Sequence, residues 1–148
     1  VGVLEWLVTL CSDGGPGLHE STQRFLAAER SPGLALFLSD FLEPGPESAL
    51  RGFAARGFET HVFQVLSPED VSPTLAGDLR LVDSESGHSL EVTVSAGLIA
   101  RYTRALSALQ AAIASECVRC GMGFLEVRTD MPVSDLFARV LPARGVVG

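Results

Sequence analysis

Lysine is absent from the 148-residue chain, and all 11 of its basic residues are arginine. This excludes a catalytic or Schiff-base lysine and a lysine-bearing phosphate loop on this chain. The 18 acidic residues leave a formal net charge of −7 at pH 7, and the pI is about 4.8. Because non-specific nucleic-acid binders normally carry a basic surplus, we expect no nucleic acid among the partners.

Long apolar runs and cysteines are also scarce. No run approaches the roughly 18 residues that a membrane helix needs, and no basic flank precedes an apolar stretch at the start. We therefore expect neither a membrane segment nor a signal peptide in this chain. The three cysteines, Cys11, Cys117 and Cys120, are few and odd in number. This count argues against a disulfide-stapled secreted domain and predicts a reducing, cytoplasmic location.

Hydrophobic residues make up 47% of the chain, and the mean hydropathy is +0.30. That content is enough to bury one core, so we expect residues 1–148 to form a single domain. The chain opens on Val1 rather than on methionine, which is typical of a fragment or a processed product.

The first half of the chain predicts two helices and then a strand–helix–strand unit. Apolar residues recur at helical spacing over 3–11 and 18–29. The unbroken apolar run 34–38 lies between turn signals, which is typical of a parallel strand buried on both faces. A helix over 46–57 leads to a second buried strand at 61–66. The crossover of about twenty residues between these strands indicates a βαβ unit.

The second half begins with a loop at 67–76. Alternating apolar and polar residues then predict a β-hairpin over 78–94, with a glycine at its turn. The longest helix is expected over 96–118, a length of about 33 Å. A third core strand follows at 124–127. The predicted final helix contains Leu136, Phe137 and Val140 and stops at Pro142.

This order of elements predicts an α/β fold with helices on both faces of a mostly parallel sheet. Three core strands are few for such a sheet. The two helices before the first strand therefore indicate that earlier strands are missing from this chain or are contributed from elsewhere.

Asp40 is the most interesting candidate site residue. It follows the carboxyl end of a predicted strand, where open α/β sheets bind their ligands. With the neighbouring Ser39 hydroxyl, its carboxylate suits a hard divalent cation such as magnesium or manganese. The alternative interpretation is that Asp40 only turns the chain after the strand, because one carboxylate cannot hold a metal alone.

Cys117 and Cys120 form a single Cys-x-x-Cys pair, which suggests a thiol-redox or metal-binding protein. A zinc site needs four ligands, and neither Cys11 nor any histidine has suitable spacing. A redox pair normally lies at a helix N-terminus, whereas this one lies at the predicted C-terminal end. Buried structural cysteine is the competing interpretation.

A hydrolase or nucleotide-binding domain is a further alternative. The glycine-rich segment Gly14–Gly17 does not follow a strand and matches neither glycine-rich nucleotide fingerprint. Ser39, Asp40 and a histidine could be combined into a triad, but Ser39 lacks the Gly-x-Ser-x-Gly elbow. The sequence therefore indicates neither a nucleophile elbow nor a phosphate loop.

Four segments, in this order and spacing, carry a resemblance to a known family: Leu38–Pro44, Gly57–Glu69, Gly77–Gly87 and Gly123–Asp130. Together they resemble the C-terminal half of the bacterial domain of unknown function 58 family, whose members are similar to von Willebrand factor A domains. The match runs from about Gly14 to the end of the chain. The resemblance implies a Rossmann-like three-layer sandwich with a β-hairpin insertion, lacking its N-terminal strands.

The resemblance also implies a function and a degenerate metal site. Proteins of this family are linked with MoxR-type AAA+ ATPases, so the chain is expected to be a non-enzymatic accessory or adaptor protein. Von Willebrand factor A domains bind a divalent cation through three motifs. Asp40 matches the last of these, Gly17 stands where a threonine is expected, and the Asp-x-Ser-x-Ser motif would lie before Val1. Metal-dependent adhesion is therefore not expected of this chain.

The strand that the resemblance places before Val1 is central in that fold. Without it, a buried apolar strand would expose unpaired backbone groups along one edge. We therefore expect a longer parent chain, a partner strand or a homo-oligomer to cover that edge.

Overall fold

The computed structural model describes residues 2–9, 17–29, 31–83, 87–136 and 138. This part of the chain is mixed α/β, with one three-stranded sheet and one two-stranded sheet. The helices are α1 (Val3–Val8), α2 (Leu18–Ala28), α3 (Pro46–Ala55), α4 (Pro68–Val71), α5 (Ala96–Cys120) and α6 (Val133–Asp135). The strands are β1 (Leu34–Ser39), β2 (Glu59–Leu66), β3 (Gly77–Val82), β4 (Ser89–Val94) and β5 (Gly123–Arg128).

The larger sheet is entirely parallel and has the order β1-β2-β5. Phe37 of β1 pairs with Val62, and Val62 pairs with Phe124 of β5. The predicted βαβ unit is thus confirmed. Its helix α3 opens at Pro46, whose missing N–H costs nothing in the first turn. Gly57, with φ 75°, follows the helix in the left-handed conformation that glycine tolerates best.

Helices α2, α3 and α5 cover one face of this sheet. The core there combines Leu50 and Phe53 of α3 with Ile113 and Cys117 of α5, all packed with Val62 of the central strand. Leu50, Ile113 and Cys117 are completely buried. Burial of these apolar side chains is the main stabilising term for the βαβ unit and the long helix.

The long helix and the hairpin also agree with the sequence. Helix α5 has 25 residues, begins after the capping residue Ser95 and ends before the capping residue Gly121, which has φ 69°. It extends two residues beyond the predicted end. Strands β3 and β4 pair antiparallel, with Gly77 opposite Val94. Within the described ranges, no helix is both long enough and apolar enough to cross a membrane.

One burial prediction is wrong. Strand β1 is not buried on both faces, because Leu34, Leu36 and Leu38 are 64%, 52% and 70% exposed. Ala35 and Phe37 point the other way and pack against the helices. In the part of the chain that the structure describes, β1 pairs with β2 alone, so its other edge is open. The sequence could not show this, because an apolar strand has the same composition whether its second face is covered by its own chain or by another chain.

Two further differences concern short elements. The predicted loop 67–76 contains one helical turn, α4, which a capping box between Ser67 and Asp70 stabilises. The final helix is described only over Val133–Asp135 and Leu136, and the latter packs near Phe63 and Leu125 on the second face of the sheet. The predicted glycine of the hairpin turn is confirmed, since Gly87 has a φ of 71°. The predictions for Cys11, for most of Gly14–Gly17, for hairpin residues 84–86, and for Phe137, Val140 and Pro142 lie outside the described residues.

Candidate functional site at the carboxyl edge of the sheet

Ser39 and Asp40 lie at the end of β1, as the sequence predicts. Their side chains are engaged in the turn that follows. The Ser39 hydroxyl accepts a hydrogen bond from the Phe41 N–H at 3.0 Å. Asp40 Oδ1 accepts one from the Leu42 N–H at 3.1 Å. Side chains that bind the backbone two residues ahead are typical of turns, so Asp40 makes the contact of a turn residue here.

The backbone between these two turns is strained. Phe41 has a φ of 58°, which a bulky side chain rarely adopts, and its side chain is buried. Gln64 Nε2 on the neighbouring strand donates a 2.9 Å hydrogen bond to the Asp40 carbonyl oxygen. Ring burial and this bond together hold the strained conformation. Gln64 is itself completely buried, and its Oε1 has no hydrogen-bond partner among the described residues.

Glu43 connects the turn after β1 to the start of α2. Its carboxylate Oε2 accepts a 2.9 Å hydrogen bond from the Leu18 N–H, which would otherwise be an unpaired donor of the first helical turn. A Cβ atom added at Gly17 would lie 2.7 Å from the same oxygen. The absence of a side chain at Gly17 therefore lets the carboxylate approach. This contact brings the segment before α2 to the edge of the sheet that carries Asp40.

Glu43→Ala is expected to lower the free energy of unfolding by about 1 kcal/mol, the usual cost of losing a helix N-terminal cap. Glu43→Gln is the matched control, because its side-chain oxygen can still accept the Leu18 N–H. We expect the control to lose less than half as much in urea titrations followed by circular dichroism. Equal stability of Glu43→Ala and the wild type would show that the carboxylate does not cap α2.

Tyr102 of α5 faces the same edge of the sheet. Partial burial raises the pKa of its hydroxyl, and the negative charges of Asp70 and Asp40 raise it further. Arg128 and Asp130, at the end of β5, form an ion pair with an Nη2–Oδ2 distance of 2.8 Å.

Across the described ranges, no three His, Cys, Asp or Glu side chains are grouped so that they could hold a metal ion. Asp40 is therefore not joined by a set of protein ligands there.

Cys117 and Cys120 lie in the last turn of α5, next to Glu116. Burial raises the pKa of the Cys117 thiol to about 11. The pKa of Cys120 is also raised, first by burial and then by its hydrogen bond to the Glu116 carboxylate. Both shifts oppose thiolate formation and favour the structural interpretation of these cysteines.

The histidines do not complete a catalytic arrangement with Ser39. His19 Nδ1 lies 2.9 Å from the Ser48 hydroxyl. His61 Nε2 lies 3.6 Å from a Glu59 carboxylate oxygen. Among the described residues no hydrogen bond joins Ser39 to His19, His61 or His88, so the triad that the sequence allowed is not assembled.

Sequence reasoning did not identify Glu43, Gln64 and Tyr102 as members of this edge. Gln64 left a detectable signal, since it is a polar residue inside the apolar run of β2. Glu43 and Tyr102 left no such signal in the sequence, because their roles depend on contacts between segments that are distant in the chain.

The chain is similar to mycobacterial proteins. An uncharacterized protein of Mycobacterium avium is 36% identical over 102 residues, which cover 69% of this chain and 60% of that protein. An uncharacterized protein of Mycobacterium tuberculosis H37Rv is 39% identical over 103 residues, which cover 69% of this chain and 32% of that protein. The chain thus matches less than two thirds of the length of either relative. No protein-family model and no solved structure matches the chain.

Proposed function

We propose that the chain is a non-enzymatic protein-interaction module of the von Willebrand factor A-like type and an accessory partner of a MoxR-type AAA+ ATPase. The observation that carries the proposal is the exposed side of β1. Leu34, Leu36 and Leu38 project from this strand into solvent, and its outer backbone edge has no partner strand in the described part of the chain. We call this region the β1 leucine surface.

Two physical properties suit the β1 leucine surface to a protein partner. Each leucine is between 52% and 70% exposed, so complete coverage by a partner contributes on the order of 1–2 kcal/mol of apolar burial. The open edge offers backbone N–H and C=O groups to an added strand, a common mode of peptide and domain recognition. A partner that supplies a strand and an apolar side-chain layer would satisfy both requirements at once.

The geometry at the carboxyl edge supports the family part of the proposal. In von Willebrand factor A domains the segment corresponding to Gly17 and the one corresponding to Asp40 carry two of the three metal motifs. In this chain Glu43 joins the same two segments through its bond to Leu18 N–H. The Asp40 carboxylate accepts a backbone hydrogen bond, so the proposal is for binding through the surface and does not invoke a cation.

The alternatives are less well supported. A thiol-redox function needs a reactive thiolate, and the pKa shifts of Cys117 and Cys120 oppose one. A hydrolase needs a nucleophile with a base within hydrogen-bond reach, and Ser39 has no such histidine among the described residues.

Binding to a MoxR-type ATPase from the same genome tests the proposal. We expect Leu36→Arg to weaken the complex at least about tenfold in isothermal titration calorimetry, because a charge would replace a buried apolar contact. Leu90→Arg is the matched control, since Leu90 is 64% exposed but lies on the hairpin strand β4. The control should bind like the wild type.

Two results would contradict the proposal. One is the absence of a complex between the wild-type chain and the ATPase. The other is equal binding by Leu36→Arg and the wild type. Light scattering of the isolated wild-type chain would separately detect self-association through the same surface, which Leu36→Arg would abolish.

A further inference from the structure

An open groove runs along the first half of α5. Its volume is about 550 Å³, and it is lined by Leu98, Arg101, Tyr102, Arg104 and Ala105. Positions 98, 101, 102 and 105 share one helix face because they are spaced three and four residues apart. This half of the helix is only lightly covered, since Leu106 is the first buried residue of α5.

The two arginines of the groove differ from the other arginines that the structure describes. Each of the other six donates a hydrogen bond to an oxygen atom of the chain: Arg24, Arg51, Arg56, Arg80, Arg119 and Arg128. Arg101 and Arg104 are exposed and have neither a hydrogen bond nor an ion pair with any described residue. In a chain of net charge −7, two unpaired arginines three residues apart form a distinct positive site.

We propose that this groove binds an acidic peptide segment of a partner protein in an extended conformation. Two carboxylates of the peptide pair with Arg101 and Arg104, and its apolar side chains lie on Leu98 and Ala105. Guanidinium groups bind carboxylates through paired hydrogen bonds, which makes arginine well suited to this role.

The dimensions of the groove agree with this ligand. Side chains three residues apart on a helix have Cβ atoms about 5–6 Å apart. Alternate side chains of an extended peptide project from the same face at about 6.6 Å. Two acidic residues separated by one residue therefore match the arginine pair. The distance from Leu98 to Ala105 along the helix, about 10 Å, accommodates about three extended residues.

The charges around the groove favour a short acidic peptide over a nucleic acid. Asp40 and Asp70 lie close enough to Tyr102 to raise the pKa of its hydroxyl, so negative charge borders the arginine pair on that side. A phosphate polymer would meet these carboxylates and the negative net charge as well. A segment with two carboxylates between apolar residues is complementary to the positive site alone.

The probe is a fluorescein-labelled peptide in which leucine and glutamate alternate and which contains two glutamates. The control peptide carries glutamine in place of both glutamates. We expect the glutamate peptide to bind the wild-type chain in fluorescence anisotropy, more weakly as salt increases. The double variant R101Q/R104Q should bind it at least tenfold more weakly. The double variant R24Q/R80Q changes the net charge equally on other elements and should bind like the wild type.

Four outcomes would overturn the proposal. In the first, the wild-type chain does not bind the glutamate peptide at millimolar concentration. In the second, the glutamine peptide binds as well as the glutamate peptide. In the third, R24Q/R80Q loses as much affinity as R101Q/R104Q. Tighter binding of a single-stranded oligonucleotide through the same two arginines would also overturn it. The groove uses no residue of the β1 leucine surface, so this test and that of ATPase binding can fail independently.

Discussion

Phe53→Ala is expected to lower the free energy of unfolding by about 3–5 kcal/mol, which is a large part of the stability of a typical domain. Phe53 is 5% exposed and lies at the centre of a cluster with three other aromatic rings. Its ring centroid is 5.4 Å from that of Phe25, 4.7 Å from that of Phe37 and 5.1 Å from that of Phe58. The substitution would leave a cavity between α2, α3 and the sheet. Urea unfolding followed by far-ultraviolet circular dichroism measures the loss.

The matched control is Phe53→Leu, which keeps most of the buried volume and should cost about 1 kcal/mol. A second comparison is Phe25→Ala, because Phe25 is 46% exposed and stacks on Phe53 from the surface. We expect it to cost much less than Phe53→Ala. If Phe53→Ala destabilised the protein no more than Phe25→Ala, the aromatic cluster would not be the centre of the core.

Cys117 is expected to react with iodoacetamide at least about a hundredfold more slowly than an ordinary thiol near neutral pH. Only the thiolate reacts, and raising a thiol pKa from 9.0 to about 11 lowers the thiolate fraction by about a hundredfold. Complete burial of the side chain slows the reaction further. Mass spectrometry of the peptide containing both cysteines of α5, sampled over time, measures the rate.

The experiment uses a Cys11→Ser background, so that every label reports on α5. Cys120→Ser isolates Cys117 there, and unfolding in urea should restore rapid labelling of both cysteines. Rapid labelling of both thiols in the folded protein would contradict the prediction. It would also restore the thiol-redox alternative, which depends on two reactive thiolates at the end of α5.

The sequence predicted those elements whose signals are local. Helix α5 shows apolar residues at steps of three and four, and glycine follows its last turn, so its length was predicted to within two residues. The βαβ unit follows from two apolar runs separated by a helix, because parallel strands require such a crossover. Helical turn α4 could also have been predicted, since Ser67 and Asp70 have the spacing of a capping box.

The contacts at the carboxyl edge could be predicted only in part. The prediction that Asp40 follows a strand is confirmed, because the end of a strand depends on residues that are neighbours in the sequence. The bond from Gln64 to Asp40 joins residues 24 apart, and that from Leu18 to Glu43 joins residues 25 apart. Such contacts depend on how helices and strands pack together, which periodicity does not encode. The prediction that β1 is buried on both faces was wrong for the same reason.

The edge of β1 that is open in the described part of the chain has a consequence for the fate of the free protein. Residues 34–39 contain no charge, proline or glycine, which is the composition of segments that stack into cross-β fibrils. Many proteins protect such an edge with an inward-pointing lysine, and this chain has none. A partner seated on the three leucines would therefore also act as a chaperone, and its loss would expose the chain to irreversible self-assembly.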